Sequence, residues 1–301
     1  MGVNGLKGFP ARIGWDNWGS LMCDAELFSP LVSQALAAHG LPLSPIVAGY
    51  PGTHAVFRAG DYVVKLYAPL GIPDEYAERR CYRAANGIPF IPRLYGEGVL
   101  RAGGHEWPYI INQYMPGRAV REIWAEVDAR ERADAMGALG AWTKAYHALP
   151  DPFEASSPLS ADGFQREWRE TAVRAAAKLG EFAQTALESL DGLCARERPV
   201  LVHADLTEDH LLISGDGYAV IDLADSRMTV EPVEWLCVWF ELTRRDPGAF
   251  FTFLASSGRN WNARARKDMM AAALLHGFGA NILNSWAQRT GLSIENIFPE
   301  V

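Results

Sequence analysis

Apolar residues recur at helical spacing between Asp24 and His39, where Leu27, Leu31, Val32 and Leu36 fall on one face and Gly40 with Pro42 supplies a stop. The spacing predicts a helix there. After it, "SPIVAGYPGTHAVFRAGDYVVKLYAP" holds short runs rich in β-branched and aromatic residues, broken by "GYPG" and then by "AGD", which is the pattern of a small antiparallel meander. "DEYAERRCYRAAN", from Asp74, reads as a helix, and "EWPYIINQYMPG" as a strand ended by Pro116 and Gly117. Beyond Gly117 the period changes. Ala133 to Leu149, Gly163 to Leu190 and Lys267 to Gln288 read as long helical stretches, and a hairpin interrupts them after His210. The pattern predicts an α+β chain: a β-rich lobe over residues 1–116, carrying an unassigned extension over 1–23, and a mainly helical lobe over 117–301.

Composition narrows the classes. With 301 residues, 49% of them hydrophobic, the chain buries a substantial core. A net charge of -8 argues against a nucleic-acid partner bound through a basic face. The four cysteines, Cys23, Cys81, Cys194 and Cys237, form no CxxC pair, so neither a disulfide framework nor a zinc knuckle is expected, and a reducing cytoplasm suits them. The opening "MGVNGLKGFPARIGWDNWGS" lacks the apolar centre of a signal peptide, and no run approaches the ~18 apolar residues of a membrane span. A cytoplasmic protein with no membrane partner is expected.

The densest chemistry lies in "LVHADLTEDHLLISGDGYAVIDLADS". Leu211 to Ile213, a turn over Ser214 to Gly217 and Tyr218 to Ile221 form a predicted β-hairpin. Pairing Ile213 with Tyr218 puts His210 opposite Ile221 and beside Asp222, because opposed residues sum to a constant along an antiparallel ladder. Asp205, two residues after His203, lies in the loop just before. Carboxylate with imidazole at such a point can hold a divalent cation, and a second carboxylate can accept a proton from a substrate hydroxyl. Taken singly, each residue also has an ordinary role: His203 as a core histidine, Asp209 in a turn, Asp222 and Asp225 as caps.

"HADLTEDHLL…VIDLADS" resembles the catalytic signature of the aminoglycoside phosphotransferase family within the protein-kinase-like fold, in which HxDxxxxN precedes a hairpin ending in a metal-binding Asp. The resemblance implies a bilobal α+β fold, Asp205 as catalytic base, Asp222 as metal ligand and His203 as scaffold of the loop. His210 stands where the second metal ligand is commonly Asn, as in other branches of the family. Further resemblances extend over about Ile46 to Leu242. Lys65, in "DYVVKLYAP", would reach the phosphates of ATP or GTP, paired with Glu78 rather than Glu75 on the next helix. Gly49, Gly52 and Thr53 in "AGYPGTHAVF" would let backbone amides approach those phosphates, and the backbone of Gln113, Tyr114 and Met115 would meet the nucleotide base.

The implied cofactor is Mg2+, and the implied partners are a nucleoside triphosphate and a small-molecule hydroxyl acceptor. An aminoglycoside, as in antibiotic resistance, is the family's best-known acceptor, beside macrolides, amino alcohols and sugars. Glu231, Glu234, Glu241 and Asp246 are candidates for holding a cationic acceptor. Trp235 and Trp239, four residues apart, read as core packing, and "RNWNARARK" as a solvated basic face. Two other readings use the same residues: a metallohydrolase built on His203, Asp205, His210 and Asp222, and a non-catalytic nucleotide-binding protein whose metal site is spoiled by His210.

Overall fold

The computed structural model describes residues 9–10, 12–179, 182–215 and 217–300. The chain divides into two compact units. One holds the described residues up to Gly87 together with Ile91–Pro116, and the other holds Ile88–Phe90 and the described residues from Gly117 onward.

In the first unit the order is α1 (Trp15–Leu21), α2 (Ala25–Ala38), β1 (Ile46–Ala48), β2 (Ala55–Ala59), β3 (Tyr62–Leu66), α3 (Asp74–Ala84), β4 (Leu94–Ala102) and β5 (His105–Gln113). The strands form one antiparallel sheet in the order β1-β2-β3-β5-β4. Asp24 caps α2 by accepting from the Leu27 N–H, and Gly40 leaves the helix in the left-handed region at φ +67°. The buried face of α2 lays Phe28 against Phe57, Trp107 and Trp18. Burial of a side chain such as Phe28 contributes about 1.5–3 kcal/mol. Of the N-terminal extension, residues 1–8 and 11 lie outside the described residues, while α1 enters this core through Trp18.

The second unit runs β6 (Arg118–Ala119), α4 (Val120–Ile123), α5 (Ala129–His147), α6 (Ala161–Ala176), α7 (Phe182–Arg196), β7 (Val200–Val202), β8 (Leu211–Ser214), β9 (Gly217–Val220), β10 (Arg227–Thr229), α8 (Pro232–Cys237), α9 (Pro247–Ser257), α10 (Ala263–Ala272) and α11 (Gly279–Thr290). A π-helical turn, Val238–Leu242, continues α8. β7 pairs β10 as one ribbon, and β6-β8-β9 form a small antiparallel sheet. Trp235 and Trp239 are buried, as packing residues should be. No helix among the described residues is long and apolar enough to cross a membrane.

Several elements differ from the sequence pattern. β4 is absent from the sequence pattern: its Gly96 and Gly98 dilute the strand signal, yet a Cβ at Gly96 would meet the His39 ring at 2.6 Å and one at Gly98 the Tyr109 hydroxyl at 2.7 Å. The strand through "EWPYIINQYMPG" ends at Gln113, before Pro116. Helix α5 starts at Ala129 rather than Ala133, because Asp128 and Glu131 form a reciprocal capping box. The stretch Gly163 to Leu190 is two helices: α6 tightens into i→i−3 bonds at Lys178 and Leu179, and residues 180–181 lie outside the described residues. Lys267 to Gln288 is likewise split into α10 and α11, since Gly279 packs so tightly that a Cβ would meet the Ala273 carbonyl at 2.3 Å. "RNWNARARK" is largely exposed, with Arg259, Arg264 and Lys267 at the surface, and it also starts a helix: Asn262 caps α10 and Arg259 pairs with Glu231. The hairpin ladder reaches Ser214 paired with Gly217, beyond the turn expected over Ser214 to Gly217, and Asp216 lies outside the described residues.

Candidate active site

In the first unit, Lys65 stands on β3 with its Nζ 2.7 Å from Glu78 Oε2 on α3, both side chains buried. Glu75, the alternative partner, pairs with Arg79. Burying two charges together is tolerable only when geometry and further hydrogen bonds satisfy them. Tyr67 supplies one, donating its hydroxyl to Glu78 Oε2 at 2.8 Å. The loop between β1 and β2 holds Gly49, Gly52 and Thr53. Gly49 donates its N–H to the Val56 carbonyl, and a Cβ there would approach that oxygen to 3.0 Å, so the glycine is required by a close approach. Gly52 borders open space. His54, directly after, is buried and its Nε2 lies 3.0 Å from Asp74 Oδ2. The Gln113 and Tyr114 amides are spent on the Arg93 and Asp61 carbonyls. That leaves the Met115 N–H as the backbone donor of this segment with no protein acceptor among the described residues.

In the second unit, the register of the hairpin is the predicted one: Ile213 pairs with Tyr218, and the Ile221 N–H donates to the His210 carbonyl. His203 is fully buried. Its Nδ1 accepts from the Asp205 N–H at 3.3 Å, so Nε2 carries the proton and donates to the Ile221 carbonyl at 3.0 Å. The ring thus ties the loop to the strand end that presents Asp222. With both nitrogens engaged, His203 is no metal ligand, which removes a member of the hydrolase cluster.

His210 donates from Nδ1 to the Asp205 carbonyl at 2.7 Å, which leaves the Nε2 lone pair on the side of Asp222, 3.9 Å from its Oδ2. One cation fits between such a nitrogen and such an oxygen. No group of three His, Cys, Asp or Glu side chains able to hold a metal occurs among the described residues, so phosphate and water oxygens would have to fill the remaining positions, the usual state of bound Mg2+. Two residues of this constellation take the left-handed backbone region, Ala204 at φ +64° and Asp222 at φ +62°. Strain of this kind persists where the surroundings over-determine it.

Glu234 provides that surrounding. It is fully buried on α8, and its two oxygens accept from the His203 N–H at 2.7 Å and the Ala204 N–H at 3.2 Å. His147, at the end of α5, stands 3.5 Å away. Burial alone would push the Glu234 carboxyl up; the neighbouring His147 and His203 and the backbone donor overcome it and hold the group below its ordinary value. Glu234 therefore does not face an acceptor, and neither do two of its companions. Glu231 is buried against Arg259 at 2.5 Å, and Asp246 caps α9 through the Gly248 and Ala249 amides.

Glu241 is placed differently. It lines a recess of about 410 Å³ together with Asp205, His210, Cys237, His276 and Phe278, and has no hydrogen-bond or ion-pair partner among the described residues. Burial, and then the nearby Glu208, push its carboxyl up. Sequence reasoning missed His54, Tyr67, His147 and His276 as members of these networks. The position of His54 beside the glycine loop was the one local signal.

The description "Phosphotransferase enzyme family" matches residues 34–265, more than half of the chain. Solved structures of similar fold include the streptomycin–ATP ternary complex of APH(2")-IIa, 14% identical, with TM-score 0.59 over 92% of this chain and 99% of that one. The GDP complex of aminoglycoside 2'-phosphotransferase-IIIa is 14% identical, with TM-score 0.63 over 89% and 94%. A choline/ethanolamine kinase family protein from Mesorhizobium loti is 14% identical, with TM-score 0.55 over 90% of each chain. The α+β arrangement is thus the protein-kinase-like one these proteins share, and the chain belongs to the phosphotransferase enzyme family.

Proposed function

We propose that the chain transfers the γ-phosphate of ATP or GTP to a hydroxyl of an amine-bearing small molecule, aminoglycoside-like or related. The observation that carries this is the loop of Asp205: its backbone is pinned by Glu234 and His203, its side chain opens on the recess, and His210 and Asp222 stand beside it. A positioned carboxylate at that point accepts the proton of an attacking hydroxyl. Mg2+, held by Asp222 with His210, would supply positive charge to the phosphates. Lys65, oriented by Glu78, contributes a point charge to the same end, while the Met115 N–H is the backbone donor available to a base edge.

Glu241 supports an amine on the acceptor. A half-buried carboxylate without a protein partner, in the same recess as the proton acceptor, is matched by an ammonium. Similar folds have been solved with streptomycin and ATP, with spectinomycin and ADP, and with GDP and kanamycin, which supports a nucleoside triphosphate donor, ATP or GTP.

Asp205→Asn tests the proposal. Turnover should fall by roughly 10²–10⁴-fold, while the rise in melting temperature on adding nucleotide with Mg2+ persists. Unchanged phosphate transfer in this variant refutes the assignment.

A further inference from the structure

We infer that Trp18, on the N-terminal helix α1, is a positioning residue of the nucleotide site that holds the glycine loop through the Thr53 carbonyl. The inference rests on the reading above that this loop faces the phosphates. Trp18 is only 1% exposed, and its indole N–H donates to the Thr53 carbonyl at 2.9 Å. Its ring packs on Phe28 and Trp107, at centroid distances of 6.2 and 6.1 Å, so the donor cannot swing away.

The next residue is held from the other side. His54 Nδ1 accepts from the Ala68 N–H at 3.2 Å, so Nε2 carries the proton and donates to Asp74. The ring also stands edge-on to Tyr67 at 4.9 Å, and Tyr67 bonds the Glu78 carboxylate that pairs with Lys65. One continuous network therefore runs from the end of the loop to the lysine. Only Tyr50, Pro51, Gly52 and Thr53 remain exposed between the Gly49 anchor and the Thr53–His54 clamp. A loop fixed at both ends meets its ligand without first being ordered, which lowers the entropic cost of binding.

Trp18→Phe keeps the aromatic packing and removes the donor. Its nucleotide KM should rise roughly 3- to 10-fold, the equivalent of one lost hydrogen bond, with kcat and the acceptor KM within twofold of wild type. Trp15→Ala, on the exposed side of the same helix, should leave all three unchanged. A purely structural role would move the melting temperature without this split, and equal nucleotide KM in Trp18→Phe and wild type overturns the inference.

Exchange of the Trp18 indole N–H in the nucleotide-free wild type needs no variant. Slow exchange is expected there, and exchange at the unprotected rate likewise overturns it. Wild-type protein that binds no nucleotide at all would sink the underlying reading instead, so the two failures are distinguishable.

Discussion

Ala204 has no conformational reason of its own to sit at φ +64°. For a residue with a Cβ the left-handed region costs about 1–2 kcal/mol, and the neighbouring His203 and Asp205 are the residues whose placement depends on it. The Glu234 carboxylate offsets that cost by taking both adjoining amides. Replacing it by Gln leaves one acceptor and turns an amide group toward the second N–H, so stability at pH 7 should drop by roughly 1–3 kcal/mol and turnover should fall with it. The pH dependence has a definite sign. Because the folded carboxyl lies below its ordinary value of 4.5, its contribution is present above that value and is lost as pH falls through the folded one. Denaturant titrations of wild type and Glu234→Gln should therefore converge in acid; a constant gap between pH 7 and pH 3 would show that Glu234 is not the group responsible. His203, Asp205, His210 and Asp222 were legible in the sequence because hairpin register is a local property. Glu234 was read as an acceptor-facing acid because its partners lie 30 residues earlier, at a contact only the tertiary fold creates.

At the scale of elements, helix α5 is held against α9 by absent side chains. A Cβ on Gly140 would stand 2.3 Å from the Phe253 carbonyl and 2.8 Å from Ser256 Cβ, whereas one on Gly137 would meet nothing closer than 3.6 Å. The two glycines lie about one helical turn apart, yet alanine should act in opposite directions. Gly140→Ala forces the helices apart and should destabilise by roughly 1–3 kcal/mol or more. Gly137→Ala gains helix propensity without a clash and should stabilise by about 0.5–1 kcal/mol. Melting temperatures that fall equally in both variants would refute this close packing. The long helices were visible because their 3.6-residue period extends over several turns, with Asp24 as a cap at the start of α2. β6, β7 and β10, of two or three residues each, are too short to show any period, so pairing partners define them. β4 did carry an unread signal in its turn to β5, since Gly103 and Gly104 both take positive φ, as a two-residue hairpin turn requires.

For the molecule as a whole, charge makes nucleotide binding a three-body problem. The chain carries -8, and Lys65, its nearest candidate for the phosphates, is already neutralised by Glu78. A triphosphate adds several more negative charges, so little affinity is expected until a divalent cation joins it. The nucleotide-dependent rise in melting temperature, which follows mass action on the native state, should therefore be small in chelator and large with metal. The choice between metals can be tested through His210. Mg2+ prefers oxygen ligands, whereas imidazole nitrogen favours transition ions. In wild type, Mn2+ should support a larger nucleotide shift than Mg2+ at equal concentration. His210→Asn, which offers an amide oxygen, should narrow that difference by strengthening the response to Mg2+. An identical ratio of the two shifts in wild type and variant would mean that His210 holds no ion, and Asp222 alone would remain as the protein's contribution to the metal.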